Sequence, residues 1–335
     1  LMLAQRYPED YDGIVAGAPA PDLTGGYSRW AQFQAWLLAN PKAHLSAAQV
    51  DVLAAAARAS CDSLDGVRDG VLENPLRCRF DAALLACGAQ PRQGCLSPEQ
   101  VAGVRRLYDG QPYRPGGPGA DALARGSEPT WHALLYGDRP GQGGFVEPSV
   151  GFFRHLVLND PGWELAQFRI ERDERLARDR VAAALDAQDP DLRRFVERGG
   201  KLILWHGWND AVVSPAYTLA YHASIVRAIG PQAVAGSVRL FMAPGVEHGI
   251  GGPGPDRFGQ LSAGDGDAEL SLGAAMRRWV EQGVAPEQVI AVRHRVPNDT
   301  ASGVARSRPL CAWPKVAVYR GEGSADDARS FRCGD

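Results

Sequence analysis

The sequence lacks any long apolar segment and any block of basic residues. No apolar run in its 335 residues approaches the roughly 18 residues that a helix needs to cross a bilayer. Lys and Arg are scattered, and a net charge of −3 with 45% hydrophobic residues is typical of an ordinary globular protein. We therefore expect no membrane and no nucleic acid among its partners. No feature of the sequence indicates an oligomeric state.

The start of the chain has neither an initiating Met nor the charged and apolar regions of a signal peptide. Residues 1–6 favour a helix, and residues 14–17 (IVAG) follow with the pattern of a buried strand. A buried strand of a parallel sheet needs neighbouring strands. We therefore expect further strands of the same sheet upstream of Leu1.

The cysteines include no CxxC pair, which disfavours a zinc or redox site. An even count that is grouped in neighbours favours disulfides instead. We pair the neighbours as Cys61–Cys78, Cys87–Cys95 and Cys311–Cys333. Disulfides predict an oxidising compartment, so that the protein would be secreted or periplasmic. The alternative is a set of free buried thiols in a cytosolic protein.

The hydrophobic pattern changes twice along the chain. One strand at residues 13–17 is followed by helical segments and Gly- and Pro-rich loops up to about residue 190. Helices and strands then alternate: we predict helices at residues 190–198, 216–229 and 269–282 and strands at residues 201–205 and 238–242. Unbroken apolar strands that are separated by helices indicate a parallel sheet covered on both faces.

These patterns predict an α/β protein split by a mainly helical insertion. We place the α/β core at residues 1–19 and 189–335, and the inserted domain at residues 20–188. Two helices of the insertion start alike, with Ser46 and Ser97 as caps and a Gln three residues later that can return the hydrogen bond. The predicted apolar face of the helix at residues 269–282 consists of Leu270, Leu272, Ala275, Met276 and Trp279.

Two loops that follow predicted strands carry an acid and a base. Asp210 follows the strand at residues 201–205, and His248 lies in a glycine-rich loop after the strand at residues 238–242. Reactive groups of open parallel sheets lie in such loops, past the carboxyl ends of the strands. An acid followed by a base fits the chain order Ser…Asp…His of α/β-hydrolases. We therefore predict that Asp210 orients His248, which deprotonates the nucleophile.

Both residues also have a non-catalytic interpretation. Asp210 can simply cap the turn before the next helix, and His248 can be a surface histidine. His206 is a rival base, but it precedes the acid in the chain, and we assign it a packing or hydrogen-bonding role. Glu247 is a weak alternative acid because it is adjacent to His248 in the sequence.

No serine in the sequence has the surroundings of a nucleophile. A GxSxG elbow holds its serine on a sharp turn between a strand and a helix, whereas the serines here lie in helix starts, loops and the insertion. The chain order requires the serine before Asp210, and residues 1–6 resemble the helix that follows an elbow. We therefore expect the serine a few residues before Leu1, and we do not expect the chain as it stands to hydrolyse esters.

The segment at residues 61–71 crowds three carboxylates and two glycines into a tight turn. Like charges at close range are costly unless a hard cation compensates them. We predict a structural Ca²⁺ held by the carboxylates of Asp62, Asp65 and Asp69 and by the carbonyl oxygens of Val67 and Val71. The spacing is similar to an EF-hand loop without matching its pattern. A hydrated acidic loop clamped by Cys61 is the alternative.

Five blocks of the sequence resemble, in order, the tannase and feruloyl esterase family, which also includes enzymes that act on mono-esters of terephthalate. The blocks are LAQRYPEDYDGIVAGAPA, CDSLDGVRDGVLENPLRC, FFRHLVLNDPGW, GGKLILWHGWNDAVVSP and APGVEHGIGGPGP. The resemblance implies an α/β-hydrolase core with an inserted lid, a calcium ion in the lid, and hydrolysis of small-molecule esters of hydroxycinnamic, gallic or related aromatic acids. It also implies Asp210 and His248 as acid and base, the calcium ligands named above, and the same cysteine pairs.

The sequence departs from this family at Gly249. The family typically has a Cys at this position, bonded to a Cys directly before the nucleophilic Ser, so the tie between base and nucleophile is absent here. A rival interpretation from a different class is a catalytically inactive fragment or a calcium-stabilised binding domain. Four aromatic residues of the insertion can line an acyl pocket or form its core, and we favour the core: Trp131, Phe152, Phe153 and Trp163.

Overall fold

A three-stranded parallel sheet lies behind the loops that carry Asp210 and His248. The computed structural model describes residues 1–89, 94–110, 121–261, 268–297 and 299–335. Its parallel strands are β1 (Gly13–Gly17), β2 (Lys201–Gly207) and β3 (Val238–Ala243), with β2 in the centre. Leu204 pairs with Ala16 on one side and with Leu240 on the other. Because parallel strands end at the same edge, the loops after β2 and β3 are neighbours.

Helices cover the sheet and fill the long connection between β1 and β2. In chain order they are α1 (Met2–Arg6), α2 (Leu23–Ala39), α3 (Ala47–Cys61), α4 (Pro98–Asp109), α5 (Val146–Gly151), α6 (Ile170–Ala177), α7 (Ala183–Leu185), α8 (Arg193–Glu197), α9 (Pro215–Ile229), α10 (Pro231–Ser237) and α11 (Leu272–Gln282). Ser46 and Ser97 cap α3 and α4 in capping boxes with Gln49 and Gln100, as predicted. Within the described ranges, no helix combines the length and the apolar character that crossing a membrane requires.

Successive residues of β2 point to opposite faces of the sheet, and each face is buried. Leu204 belongs to the same buried cluster as Ile225 of α9. Its neighbour Trp205 belongs to a different cluster, together with Trp279 of α11. The prediction of a parallel sheet covered on both faces is therefore confirmed, and the chain has an α/β fold.

The helices between β1 and β2 build two further hydrophobic clusters. One of them includes Phe33 of α2 together with Ala211, so this helical region packs directly against the loop after β2. The four aromatic residues for which the core was favoured over an acyl pocket are all buried in these clusters: Trp131, Phe152, Phe153 and Trp163. The separation of residues 20–188 as an inserted domain stays a prediction.

The chain after α11 forms two antiparallel hairpins that were not predicted from the sequence. They pair β4 (Gln288–Val296) with β5 (Asp299–Cys311), and β6 (Val316–Tyr319) with β7 (Phe331–Gly334). In β4, the buried residues Val289 and Ala291 alternate with less buried neighbours. In the sequence these residues lie in the unbroken apolar run from Val289 to Val292, so the alternation became visible only in the structure.

All six cysteines form disulfides between neighbours. The bonds are Cys61–Cys78, Cys87–Cys95 and Cys311–Cys333. The predicted pairing is therefore confirmed, and the alternative of free thiols is wrong.

Two predicted helices are longer than the structure shows. Ser271 caps α11 by accepting a hydrogen bond from the N–H of Ala274, so the helix begins at Leu272. Leu270 precedes the helix and is 50% exposed, so its assignment to the apolar face is wrong. The helix predicted at residues 190–198 begins only at Arg193, because the carboxylate of Asp189 accepts a hydrogen bond from the N–H of Asp191 in a turn before α8.

Candidate active site

Asp210 lies in the turn that follows β2 and is fully buried. Its Oδ1 accepts hydrogen bonds from the backbone N–H groups of Val212 at 2.8 Å and Val213 at 2.9 Å. Asp favours such turns because its short side chain reaches the backbone two or three residues later. The turn therefore fixes Oδ1 and leaves Oδ2 for other donors.

His248 lies in the loop after β3, and its Nδ1 is 2.8 Å from Oδ2 of Asp210. The two loops come this close because Gly207 has no side chain: a Cβ there would lie 2.3 Å from the carbonyl oxygen of Val246. The backbone N–H of Asn209 donates to that same oxygen at 2.9 Å. The structure thus brings together the acid and the base that the sequence placed after consecutive strands.

The Asp210–His248 contact shifts the pKa values of both residues. Burial alone would raise the pKa of Asp210, but hydrogen bonds from His206 and His248 outweigh burial and lower it from 3.8 to about 2. The hydrogen bond to Asp210 raises the pKa of His248 above its ordinary 6.5, against the opposing effect of partial burial. Asp210 is therefore ionised at neutral pH and stabilises a proton on His248.

The imidazole of His248 remains accessible to solvent, since 47% of its side chain is exposed. Among the described residues, its Nε2 has no hydrogen-bond partner, and no serine is bonded to it. Nε2 is therefore the nitrogen available to a reacting hydroxyl group. The nucleophile itself stays a prediction.

His206 takes part in the site in a way that the sequence did not reveal. It is fully buried, and its Nε2 lies 3.2 Å from Oδ2 of Asp210 and 2.9 Å from the carbonyl oxygen of Val213. Because both of these oxygens only accept, Nε2 carries the proton. Nδ1 pairs with the hydroxyl of Thr218 in α9 at 2.6 Å. His206 therefore has the hydrogen-bonding role predicted for it, and the partner it bonds is the candidate triad acid.

A pocket lies between α2 and the loop after β2. Residues 211–214 line it together with Tyr27 and Trp30 of α2 and Phe145. Trp30 stacks on Phe145 with ring centroids 4.2 Å apart, and Tyr27 meets Trp30 edge to face. The pocket thus offers flat aromatic surfaces next to the turn that holds Asp210.

In the acidic loop at residues 61–71, the carboxylates accept hydrogen bonds from backbone N–H groups of the same loop. Their Oδ1 atoms accept backbone N–H groups as follows: Asp62 from Gly70 at 2.9 Å, Asp65 from Val67 at 3.0 Å, and Asp69 from Val71 at 3.0 Å. Asp69 also forms ion pairs with Arg306 and Arg308 of β5. Oδ2 of Asp65 is buried and has no hydrogen-bond partner among the described residues.

Arg306 and Arg308 compensate part of the negative charge of this loop. Burial raises the pKa of Asp65 and the carboxylates of Asp69 and Asp62 add to that effect, whereas the hydrogen bond from Val67 and the charge of Arg308 oppose it. Within the ranges that the structure describes, however, no three His, Cys, Asp or Glu side chains lie close enough together to hold a metal ion. A cation here would therefore need backbone carbonyl oxygens as well as carboxylates.

The fold and the site together define a class of protein. An ionised acid is hydrogen-bonded to a half-exposed base, and both lie on loops past the carboxyl ends of parallel strands. Such an arrangement is typical of α/β enzymes that activate a nucleophile. A profile described as "Tannase and feruloyl esterase" matches residues 1–334, and the chain belongs to this family. The predicted family is therefore confirmed.

Individual relatives agree with this assignment. The chain is 36% identical to an "Uncharacterized esterase" of Xanthomonas campestris pv. campestris, over 100% of this chain and 63% of that protein. It is 31% identical to a "Mono(2-hydroxyethyl) terephthalate hydrolase" of Piscinibacter sakaiensis, over 99% of this chain and 61% of that protein. The crystal structure of feruloyl esterase B from Aspergillus oryzae superimposes with a TM-score of 0.88 at 27% identity, over 99% of this chain and 66% of the other. The chain thus spans less than two thirds of the length of each of these proteins.

Proposed function

We propose that this chain supplies the acid and the base of a serine esterase that hydrolyses esters of aromatic acids. The observation that carries the proposal is the 2.8 Å contact between Nδ1 of His248 and Oδ2 of Asp210. Membership of a family described by its tannases and feruloyl esterases supports ester hydrolysis as the reaction.

In this mechanism the nucleophile is a serine that we place upstream of residue 1. Nε2 of His248 takes the proton of the serine as the hydroxyl oxygen attacks the ester carbonyl carbon, and then gives it to the leaving alcohol. Water hydrolyses the resulting acyl-enzyme, with His248 again as base. Asp210 stays ionised throughout and stabilises the imidazolium, as its pKa of about 2 supports.

The pocket between α2 and the loop after β2 is the proposed acyl site. Its wall at residues 211–214 directly follows Asp210, which supports placing the acyl group of the substrate here. Tyr27, Trp30 and Phe145 line the pocket, and their rings suit a flat aromatic acid because aromatic rings attract one another when stacked or edge to face. This supports esters of hydroxycinnamic, gallic or related acids as substrates.

We also propose that the acidic loop binds Ca²⁺ through Asp62, Asp65 and Asp69 and the carbonyl oxygens of Val67 and Val71. The chemistry of the donors fits, since Ca²⁺ prefers carboxylate and carbonyl oxygens. The buried and unpartnered Oδ2 of Asp65 is the supporting observation. The ion would neutralise the loop and take no part in the reaction.

The three disulfides support an oxidising compartment as the site of action. We therefore propose that the protein is secreted or periplasmic.

The proposed function is tested with His248→Ala in the protein extended upstream of residue 1. We expect kcat for the hydrolysis of p-nitrophenyl esters and of methyl gallate to fall by about a thousandfold or more, because the serine loses its base. The exposed His155 provides a matched control, and His155→Ala should keep full activity. Circular dichroism checks that both variants fold.

Three results would contradict the proposal. Turnover retained by His248→Ala removes this residue from the mechanism. If a protein that begins at residue 1 hydrolyses esters, the nucleophile is not an upstream serine. If the extended protein hydrolyses none of the esters, the non-catalytic interpretation is favoured.

A further inference from the structure

The loop that carries His248 is rich in glycine on one side of the base. Before His248, Val246 is fully buried, and its carbonyl oxygen accepts the N–H of Asn209. After His248, three of the next four residues are glycines with positive φ, at positions 249, 251 and 252. Glycine adopts many backbone conformations at little cost, so such a segment does not fix its own shape. It therefore needs contacts from other elements to keep the imidazole on Asp210.

The side-chain amide of Gln260 binds the residue directly after the base. Its Nε2 donates to the carbonyl oxygen of Gly249 at 3.1 Å and to that of Asp256 at 2.7 Å. Its Oε1 accepts from the N–H of Phe258 at 2.9 Å, which sets the end of the amide that faces the two carbonyl oxygens. Three hydrogen bonds thus orient Gln260, and one of them ends at the residue next to His248.

Two charged side chains bind the rest of the glycine-rich segment. Oδ2 of Asp256 accepts from the N–H of Gly251 at 2.9 Å. The guanidinium of Arg293 in β4 donates to the carbonyl oxygen of Gly252 and, at 3.2 Å, to that of Gly254. We call the three side chains that bind this segment the loop clamp: Asp256, Gln260 and Arg293.

The loop clamp is attached to buried structure. Phe258, which lies between two clamp residues in the chain, is fully buried and meets Trp205 of β2 edge to face, with ring centroids 5.1 Å apart. Arg257 pairs with Val292 of β4 through two backbone hydrogen bonds of 2.9 and 2.7 Å. Arg293 follows Val292 directly in β4. The central strand of the sheet and the hairpin of β4 and β5 therefore fix the position of the clamp.

We infer that Asp256, Gln260 and Arg293 are positioning residues for the base: they hold the glycine-rich segment so that Nδ1 of His248 stays on Oδ2 of Asp210. The inference rests on the proposed function, because it takes His248 as the base. It also gives the hairpin of β4 and β5 a role in the reaction.

Loss of the clamp should affect kcat more than KM. A misplacement of a reacting group by about 1 Å can cost about a hundredfold in rate. The described lining of the pocket between α2 and the loop after β2 does not include the clamp, so substrate binding there should change little.

Gln260→Ala is the decisive variant, because it removes the bond to Gly249 and changes no charge. In the protein extended upstream of residue 1, we expect kcat for ester hydrolysis to fall about tenfold to a hundredfold while KM stays nearly unchanged. Gln232→Ala, at an exposed position of α10, is the matched control and should keep full activity. Circular dichroism checks that both variants fold.

Arg293→Met tests the clamp from the side of the hairpin and should also lower kcat, because two glycine carbonyl oxygens lose their donor. Arg320→Met is its matched control and should be neutral, since Arg320 donates to the carbonyl oxygen of Phe331 in the other hairpin. Unchanged kcat in both Gln260→Ala and Arg293→Met would overturn the inference.

The pKa of His248 separates positioning from a general loss of stability. The hydrogen bond to Asp210 raises this pKa above 6.5, so a loosened loop should lower it toward 6.5. Charged groups around the loop stay in place in Gln260→Ala, among them Glu247 and Arg293. A lower pKa in this variant therefore reports a change in geometry.

NMR titration of the histidine imidazole signals gives this pKa without turnover, and His248→Ala assigns the signal. If the unmodified protein hydrolyses no ester, the proposed function fails, while the titration still decides the inference. An unchanged pKa of His248 in Gln260→Ala would overturn the inference, even where kcat falls.

Discussion

Asp210 accepts hydrogen bonds at both carboxylate oxygens. Two backbone N–H groups hold Oδ1, and the imidazoles of His206 and His248 share Oδ2. The orientation of the carboxylate is therefore set from four directions. Replacing one oxygen by an amide nitrogen would place a donor where two acceptor positions are needed.

Asp210→Asn is expected to reduce kcat for ester hydrolysis by about a thousandfold to ten-thousandfold, because the amide no longer holds the imidazole in its productive tautomer. Asp138→Asn, at a carboxylate that is 92% exposed, is the matched control and should be neutral. Steady-state kinetics with circular dichroism distinguishes loss of function from loss of fold. An active Asp210→Asn variant would contradict the assignment of the acid.

Asp210→Asn should also change how the rate of ester hydrolysis depends on pH. The base must be neutral, so activity falls as the pH drops through the pKa of His248, which lies above 6.5. Removing the carboxylate removes the cause of that rise, and the midpoint should move to lower pH. For stability the sign is opposite: the contribution of a raised histidine pKa is fully present below pH 6.5 and is lost as the pH rises through the folded value. Rate profiles of both proteins against pH provide the measurement.

The loop after β2, which carries Asp210, is held by hydrogen bonds to the helical region. Nδ2 of Asn209 donates to the carbonyl oxygen of Gly126 at 2.6 Å, and the N–H of Gly126 donates to Glu128 at 2.8 Å. The hydroxyl of Tyr108 in α4 donates to the other oxygen of Glu128 at 2.5 Å. A chain of hydrogen bonds, buried at Glu128 and partly buried at Gly126, therefore links the helical region to the residue next to Asp210.

Asn209→Ala is expected to destabilise the protein by about 1–3 kcal/mol, because it removes a buried side chain and leaves the partly buried carbonyl oxygen of Gly126 without that partner. Asn40 makes the same kind of bond, to the carbonyl oxygen of Trp36, but at an exposed position. Asn40→Ala should therefore cost clearly less. Urea unfolding gives the free energy of unfolding of both variants. An equal loss of stability in the two variants would contradict a stabilising role of the bond between Asn209 and Gly126.

Over the whole molecule, the acidic loop is tied to the C-terminal hairpins. The guanidinium of Arg308 in β5 is 1% exposed and pairs with Asp69 of the loop and with Glu73. Burial raises the pKa of Glu73 to about 7, in spite of Arg308. The charge balance of this loop therefore affects the packing of two distant parts of the chain.

Removal of the proposed calcium ion with EDTA should lower the melting temperature by several degrees, because binding to the folded state alone adds to its stability. Asp62→Asn takes away one proposed ligand, so this variant should melt lower and respond less to EDTA. Scanning calorimetry with and without added Ca²⁺ measures both effects. An unchanged melting curve of the unmodified protein would refute calcium at this loop.

Structural features that depend on residues close together in the chain could be predicted from the sequence. The strands around Leu204 and Leu240, the capping boxes at Ser46 and Ser97, and the cysteine pairs all follow from patterns within a few to about twenty residues. The meeting of Asp210 and His248 was predictable too, because parallel strands place the ends of consecutive strands at one edge.

Other features depend on segments that are distant in the chain. The contact of His206 with Asp210, the ion pairs of Arg29 with Asp22 and Asp121, and the ion pair of Arg308 with Asp69 join positions whose approach is set by the packing of whole elements. The exposure of Leu270 likewise depends on where Ser271 starts its helix. Local periodicity fixes which residues face inward, whereas the partners across a buried contact are decided only when helices and strands pack together.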